Sequence, residues 1–192
     1  MNTSAWSLFA YAGALTLLAA WLPLRGAARV AAFVAALAAA LPFAWFMRGA
    51  LGDPAYTTGL LFWTETMRRL VPEGRRWRPA LSAPSALWLL LLAGVLYAPY
   101  FGPEGFDAYR HPGVEHPVVV AALLFPAALL SARPMRSLAL VYPAAVALTL
   151  FDLHDSTNMW DLLLDPLLAL VALGLLAHAA FARYRQKGPS AS

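Results

Sequence analysis

Six stretches of this chain, at 6–24, 30–47, 85–101, 118–132, 137–151 and 162–182, contain a single residue among Asp, Glu, Lys and Arg, which is Asp165. A helix needs about 20 apolar residues to cross a hydrocarbon layer about 30 Å thick. Stretches of that length and purity read as membrane-spanning helices, because only a segment that satisfies its own backbone hydrogen bonds survives in lipid. The composition agrees. The 192 residues are 61% hydrophobic and 12% charged, whereas a soluble domain carries about 25% charged residues. The expected fold is therefore all-α, a polytopic transmembrane helical bundle. Residues 1–185 form a single domain and 186–192 a disordered tail. No basic residue precedes the first apolar run, so it reads as a retained span and not a cleaved signal.

The segment 54–71, PAYTTGLLFWTETMRRLV, decides the topology. Asp53 suits an N-cap and Pro54 a first helical position. Tyr56, Leu60, Trp63, Met67 and Leu70 fall on one stripe, with Thr57, Thr58, Thr64, Glu65, Arg68 and Arg69 largely opposite. Such a helix either crosses the bilayer or lies in its interface. Basic residues near span ends mark the cytoplasm. None precedes the first span, while Arg25 and Arg29 follow it, and Arg183, Arg185 and Lys187 follow the last. That puts the N-terminus outside and the C-terminus inside. Opposite ends need an odd number of crossings, so seven spans are preferred over six plus one interfacial amphipathic helix.

Seven spans bring three polar stretches to the outer face: 48–54, 102–117 and 152–161. The candidate polar or ligand-binding cluster they supply comprises Asp53, Asp107, Tyr109, Arg110, Asp155, Asn158, Trp160, Asp161 and Asp165. Part of the last stretch is helix capping. Asn158 with Asp161 resembles a capping box, and Asp165 before Pro166 is a second start signal. A short interfacial helix at 157–164 follows, with Trp160 at headgroup level, then a span from 166. Asp165 lies deep enough to need a partner, and Arg110 is one candidate. His111, His116, Asp152 and His154 are the residues that suit a divalent metal, but no recognised ligand spacing joins them. A structural network tying the outer loops together is the preferred reading, and no cofactor is expected.

Without cysteine the chain forms no disulfide or thiolate site. It also lacks the glycine-rich phosphate loop, the His-Glu-x-x-His pair and the Gly-x-Ser-x-Gly elbow. Its net charge of +4 comes from arginines flanking apolar runs, which excludes nucleic acid as the expected partner and leaves the bilayer and a membrane-protein partner. Glu65 with Arg69 reads as a structural i,i+4 pair. Ala28, Ala32, Ala36 and Ala40 form a small-residue ridge suited to close helix packing. Pro42, Pro99, Pro126 and Pro143 read as static kinks. Segments 118–132 and 137–151, separated by four residues, form an antiparallel helical hairpin.

Three stretches, LGDPAYTTGLL (51–61), GPEGFDAYRHPG (102–113) and DSTNMWDLLLDPLL (155–168), resemble segments of small multi-pass proteins of proteobacteria. That resemblance covers about a fifth of the chain. It implies a bacterial inner (cytoplasmic) membrane location and carries no activity. The expected role is a non-enzymatic accessory, scaffold or ligand-binding component with its polar cluster on the periplasmic face. The alternatives are a small-solute or ion transporter using Asp165 and the threonines of 54–71, and a metal-dependent enzyme acting at the outer surface.

Overall fold

A computed structural model of the chain describes residues 5–71, 79–97, 136–151 and 159–186. Its elements, in order, are α1 (Ala5–Trp21), α2 (Gly26–Leu51), α3 (Tyr56–Leu70), α4 (Ala83–Tyr97), α5 (Arg136–Leu148), α6 (Met159–Leu163) and α7 (Pro166–Gln186). A 3-10 turn, Thr149–Phe151, closes α5. The described residues contain no strand, so the all-helical expectation holds. The short helix before Pro166 is also present, as α6. The expected span 118–132, the hairpin it would form and the tail lie outside the described residues.

Among the described residues two helices are long and apolar enough to cross a membrane, Gly26–Leu51 and Pro166–Arg185. Only 11% of the residues in the most apolar stretch of each are buried. Val30, Val34, Leu37, Leu41, Trp45 and Phe46 of α2 all face outward, as do Leu170, Leu173 and Phe181 of α7. Three further apolar helices are shorter: Ala5–Trp21, Ala83–Tyr97 and Ser137–Leu148. Pro42 sits inside α2 and Pro143 inside α5, and both helices continue through their prolines.

Small side chains set the packing of the first three helices. Ser7, Ala10, Ala12, Gly13, Thr16, Ala19 and Ala20 are buried along α1. From α2, Ala40 and Ala44 are buried and Ala32 and Ala36 half-buried, while Ala28 is exposed. The alanine ridge thus packs, shifted by one turn. Between α1 and α3 the approach is closer still. A Cβ added at Gly59 would lie 2.6 Å from Trp6 Cζ2, and one at Gly13 would lie 2.9 Å from Trp63 Cδ1. Glycine at these two positions lets an indole lie against the opposing backbone.

Contacts between α1 and α3 keep one register along both helices. Trp6 meets Tyr56 edge-on at 4.6 Å and Phe9 meets Trp63 at 5.4 Å. At the far end Arg69 lies 4.0 Å over the Trp21 ring. The two helices therefore run side by side and parallel, and α2 returns antiparallel, with Tyr11 against Phe43. Elsewhere α4 packs on α7, and α3 is packed by α5 and α6. Leu89, Leu96, Leu138, Leu163, Leu164 and Leu168 are core side chains there.

Helix α3 buries residues from both its apolar stripe and its polar side, and Tyr56 of the stripe is 1% exposed. Thr57, Thr58 and Thr66 are 0% exposed, whereas Met67 of the apolar stripe is 43% exposed.

Candidate functional site: an aspartate clamp on two helix starts

The site is built on the turn Gly52-Asp53-Pro54-Ala55 between α2 and α3. Gly52 ends α2 with its N–H donating to Arg48 O at 2.9 Å, and its φ of 81° is a conformation that favours glycine. A turn at this position exposes two carbonyls that neither helix can satisfy. Aromatic donors from α1 satisfy both. Tyr11 Oη donates to Gly52 O at 2.9 Å, and Trp6 Nε1 donates to Pro54 O at 2.7 Å. Asp53 is held within the same turn. Its Oδ1 accepts from Ser7 Oγ, and Arg48 Nε pairs with it at 3.0 Å. Its side chain is 5% exposed.

The N-cap of α3 is Ala55, which has no side chain to offer as a cap. Asp53, expected in that role from the sequence, instead faces Ser7 and Arg48. The missing acceptor comes from 110 residues further along the chain. Asp165 Oδ2 accepts the Ala55 N–H at 2.6 Å and the Thr58 hydroxyl at 2.7 Å. Its other oxygen, Oδ1, accepts the Leu168 N–H at 2.6 Å. That second bond is an ordinary N-cap, from the residue preceding Pro166 to the third residue of α7. One carboxylate thus caps two helices at once. The positive ends of both helix dipoles converge on it, which favours a negative charge there. The residue is 6% exposed, a depth at which a carboxylate needs such donors.

Of the sequence-derived cluster, the structure brings Asp53 and Asp165 together through the residues between Asp53 and Thr58. Trp160 is buried at 6% in the main core cluster, which also holds Tyr56. Asp161 is half-exposed in the first turn of α6. Asp107, Tyr109, Arg110, Asp155 and Asn158, with the metal candidates His111, His116, Asp152 and His154, lie outside the described residues. Among the described residues no three of His, Cys, Asp and Glu group as metal ligands. Sequence reasoning missed Trp6, Ser7, Tyr11 and Arg48. Two of them are polar-tipped aromatics inside an apolar run, and nothing in their spacing points to a turn more than 40 residues away.

A second polar cluster lies at the opposite end of α3. Glu65 Oε2 and Oε1 accept from Arg68 at 2.7 and 2.5 Å, and Oε1 also accepts from Arg69 Nε at 2.8 Å. The Ala80 N–H, just ahead of α4, donates to Glu65 Oε2 at 3.1 Å. Arg29 of α2 donates to Arg69 O at 3.1 Å. The expected structural pair is present, and it joins α2, α3 and the approach to α4. Each end of α3 is therefore anchored by one carboxylate, Asp165 at its start and Glu65 near its finish. Comparison with family models, with curated proteins and with solved structures returned no match.

Proposed function

We propose that the chain is a non-enzymatic, multi-pass component of a bacterial inner membrane, with seven spans, a periplasmic N-terminus and a cytoplasmic C-terminus. In this reading it serves a membrane-protein partner as an accessory or scaffold subunit. The observation that carries the functional part is the state of Asp165. A carboxylate that is 6% exposed and bonded to Ala55, Thr58 and Leu168 is committed to holding helices together. It lacks the accessibility of a general base. Asp53 is committed in the same way, to Ser7 and Arg48.

The membrane part rests on the outward apolar faces of α2 and α7 and on the course of α3. A helix lying in the interface plane would cross α1 near one end. Side-by-side contact from Trp6 to Trp21 supports a third crossing instead. Charge supports the orientation. Among the described residues Arg25, Arg29, Arg68, Arg69, Arg183 and Arg185 lie at the helix ends away from the clamp. Arg48 lies at the clamp end, paired with Asp53.

Reporter fusions at each terminus and within 52–55 test the topology. The expected result is a periplasmic N-terminus and clamp turn and a cytoplasmic C-terminus, and both termini in one compartment would refute it. Reconstituted, purified protein tests the role, and transport or turnover by the protein alone would exclude the accessory reading.

One observation favours a transporter as second reading. The Thr57 and Thr66 hydroxyls are fully buried and have no hydrogen-bond partner among the described residues. They flank the Thr58–Asp165 bond on the same helix. Proteoliposome uptake that is abolished in Asp165→Asn and Thr58→Val would establish this reading over the first.

A further inference from the structure

At the end of the α1–α2–α3 unit away from the clamp, positive charge outnumbers acid among the described residues. Arg25 immediately precedes α2 and is exposed, Arg29 lies one turn in, and Arg68 and Arg69 close α3. Glu65 is the acid that meets them among the described residues, and its bonds go to Arg68 and Arg69. Four guanidinium groups against one carboxylate leave an excess of three positive charges. Arg29 and Arg25 take none of the neutralisation. Arg29 Nη2 is used on the Arg69 carbonyl, while its Nε–H is buried with no acceptor among the described residues. The first turn of α2 holds no acid, and Arg25 makes no capping bond. Two cations at the positive end of a helix dipole are disfavoured unless an anion joins them. Beside them Trp21 is 62% exposed, with the Arg69 guanidinium stacked over its ring. An exposed indole at a span end is the side chain that settles at headgroup depth.

We infer that this end of the unit is a binding surface for the phosphodiester headgroup of an anionic membrane lipid. Arg25 and Arg29 supply the phosphate donors, and Trp21 with Arg69 packs at the level of the glycerol backbone. Arginine suits the task because its planar fork matches phosphate oxygens and is less strongly hydrated than an ammonium. The inference rests on the membrane placement of α1–α3 proposed above.

The test uses full-length protein reconstituted into phosphatidylcholine vesicles with and without phosphatidylglycerol. Flotation scores membrane insertion, and native mass spectrometry scores the phosphatidylglycerol retained after extraction. Failure to float with either vesicle would refute the membrane placement itself. For protein that does float, the expected result is selective retention of phosphatidylglycerol, lowered about tenfold or more in the Arg25→Gln/Arg29→Gln double variant, the order expected for removing two basic residues. Arg25→Gln alone, at an exposed position outside the helix packing, is expected to show a several-fold loss in a folded protein. Equal retention by Arg25→Gln and the unsubstituted protein would overturn the inference. So would an equal loss in Arg183→Gln/Arg185→Gln, which would reduce the effect to general surface charge. Complete competition by inorganic phosphate would also overturn it, by assigning the site to a soluble anion.

Discussion

Asp165→Asn removes one charge and almost no volume, so its effect isolates the clamp. In the native arrangement Oδ2 takes two donors, from Ala55 and Thr58, and Oδ1 takes one, from Leu168. An asparagine has one acceptor oxygen and one donor group. If the oxygen faces Ala55 and Thr58, the amide N–H points at the Leu168 N–H, donor against donor. If the side chain is flipped, Leu168 is satisfied and Thr58 can turn its hydroxyl to accept, but the Ala55 N–H is orphaned. Either way at least one buried backbone donor loses its partner, at about 1–3 kcal/mol. The bonds that survive also fall from charge-assisted to neutral strength, a loss of roughly 1 kcal/mol each.

The sum is on the order of 2–4 kcal/mol. Side-chain hydrogen bonds between membrane helices average only about 0.6 kcal/mol, because the unfolded chain in lipid finds substitute partners. Asp165 is expected to exceed that average. Two of its donors are N–H groups at helix starts, which have no intrahelical alternative. For a chain of this size the loss corresponds to a drop of about 5–15 °C in thermal midpoint, measured by circular dichroism in detergent. Asp165→Ala is expected to fall further, since all three bonds go. Thr58→Val, which removes one donor and leaves the two backbone bonds, is expected to cost about 1 kcal/mol. The double variant Asp165→Asn/Thr58→Val is expected to fall short of the sum of the singles. A midpoint for Asp165→Asn within about 1 °C of the unsubstituted protein, where even the smallest cost above predicts several degrees, would refute the clamp.

Trp6→Phe keeps the aromatic packing against Tyr56 but leaves Pro54 O without its donor. The expected loss is about 1–3 kcal/mol, read in the same melting assay. Gly59→Ala improves helix propensity by about 1 kcal/mol, yet its Cβ would sit 2.6 Å from the Trp6 ring. Overpacking of roughly 1–3 kcal/mol is expected to prevail, so the midpoint falls, and in a Trp6→Ala background, where the ring is gone, Gly59→Ala is expected to lower it no further. Glu65→Gln leaves Arg68 and Arg69 without their carboxylate at the other end of α3. Those groups are partly exposed, so the expected loss is about 1–2 kcal/mol, and it is expected to add to that of Asp165→Asn, because the two carboxylates share no partner.

How much of this was legible beforehand follows from the range of the interactions. Helix α6 and the start of α7 were readable because Asp165-Pro166 is a local signal, made by residues within one turn. The Glu65–Arg69 pair was readable for the same reason. The capping of α3 was read wrongly, since Asp53 satisfies every local rule for an N-cap. Asp165 takes that role while Ser7 and Arg48 hold Asp53, and Ser7 is 46 residues away from it in sequence. Periodicity showed the apolar stripe of α3 but not which side packs on protein, and Tyr56 of the stripe is buried along with Thr57 and Thr58.

The sequence alone determined the helical class, and with it the expectation of an apolar solvent. Apolar length and scarcity of charge are properties of each segment by itself, and in lipid a segment must bond its own backbone. Tertiary structure decided which carboxylate serves which helix. Asp165 and Ala55 stand 110 residues apart, and only the packing of α6, with the turn that follows it, against α3 brings an acceptor to a helix start that carries none of its own.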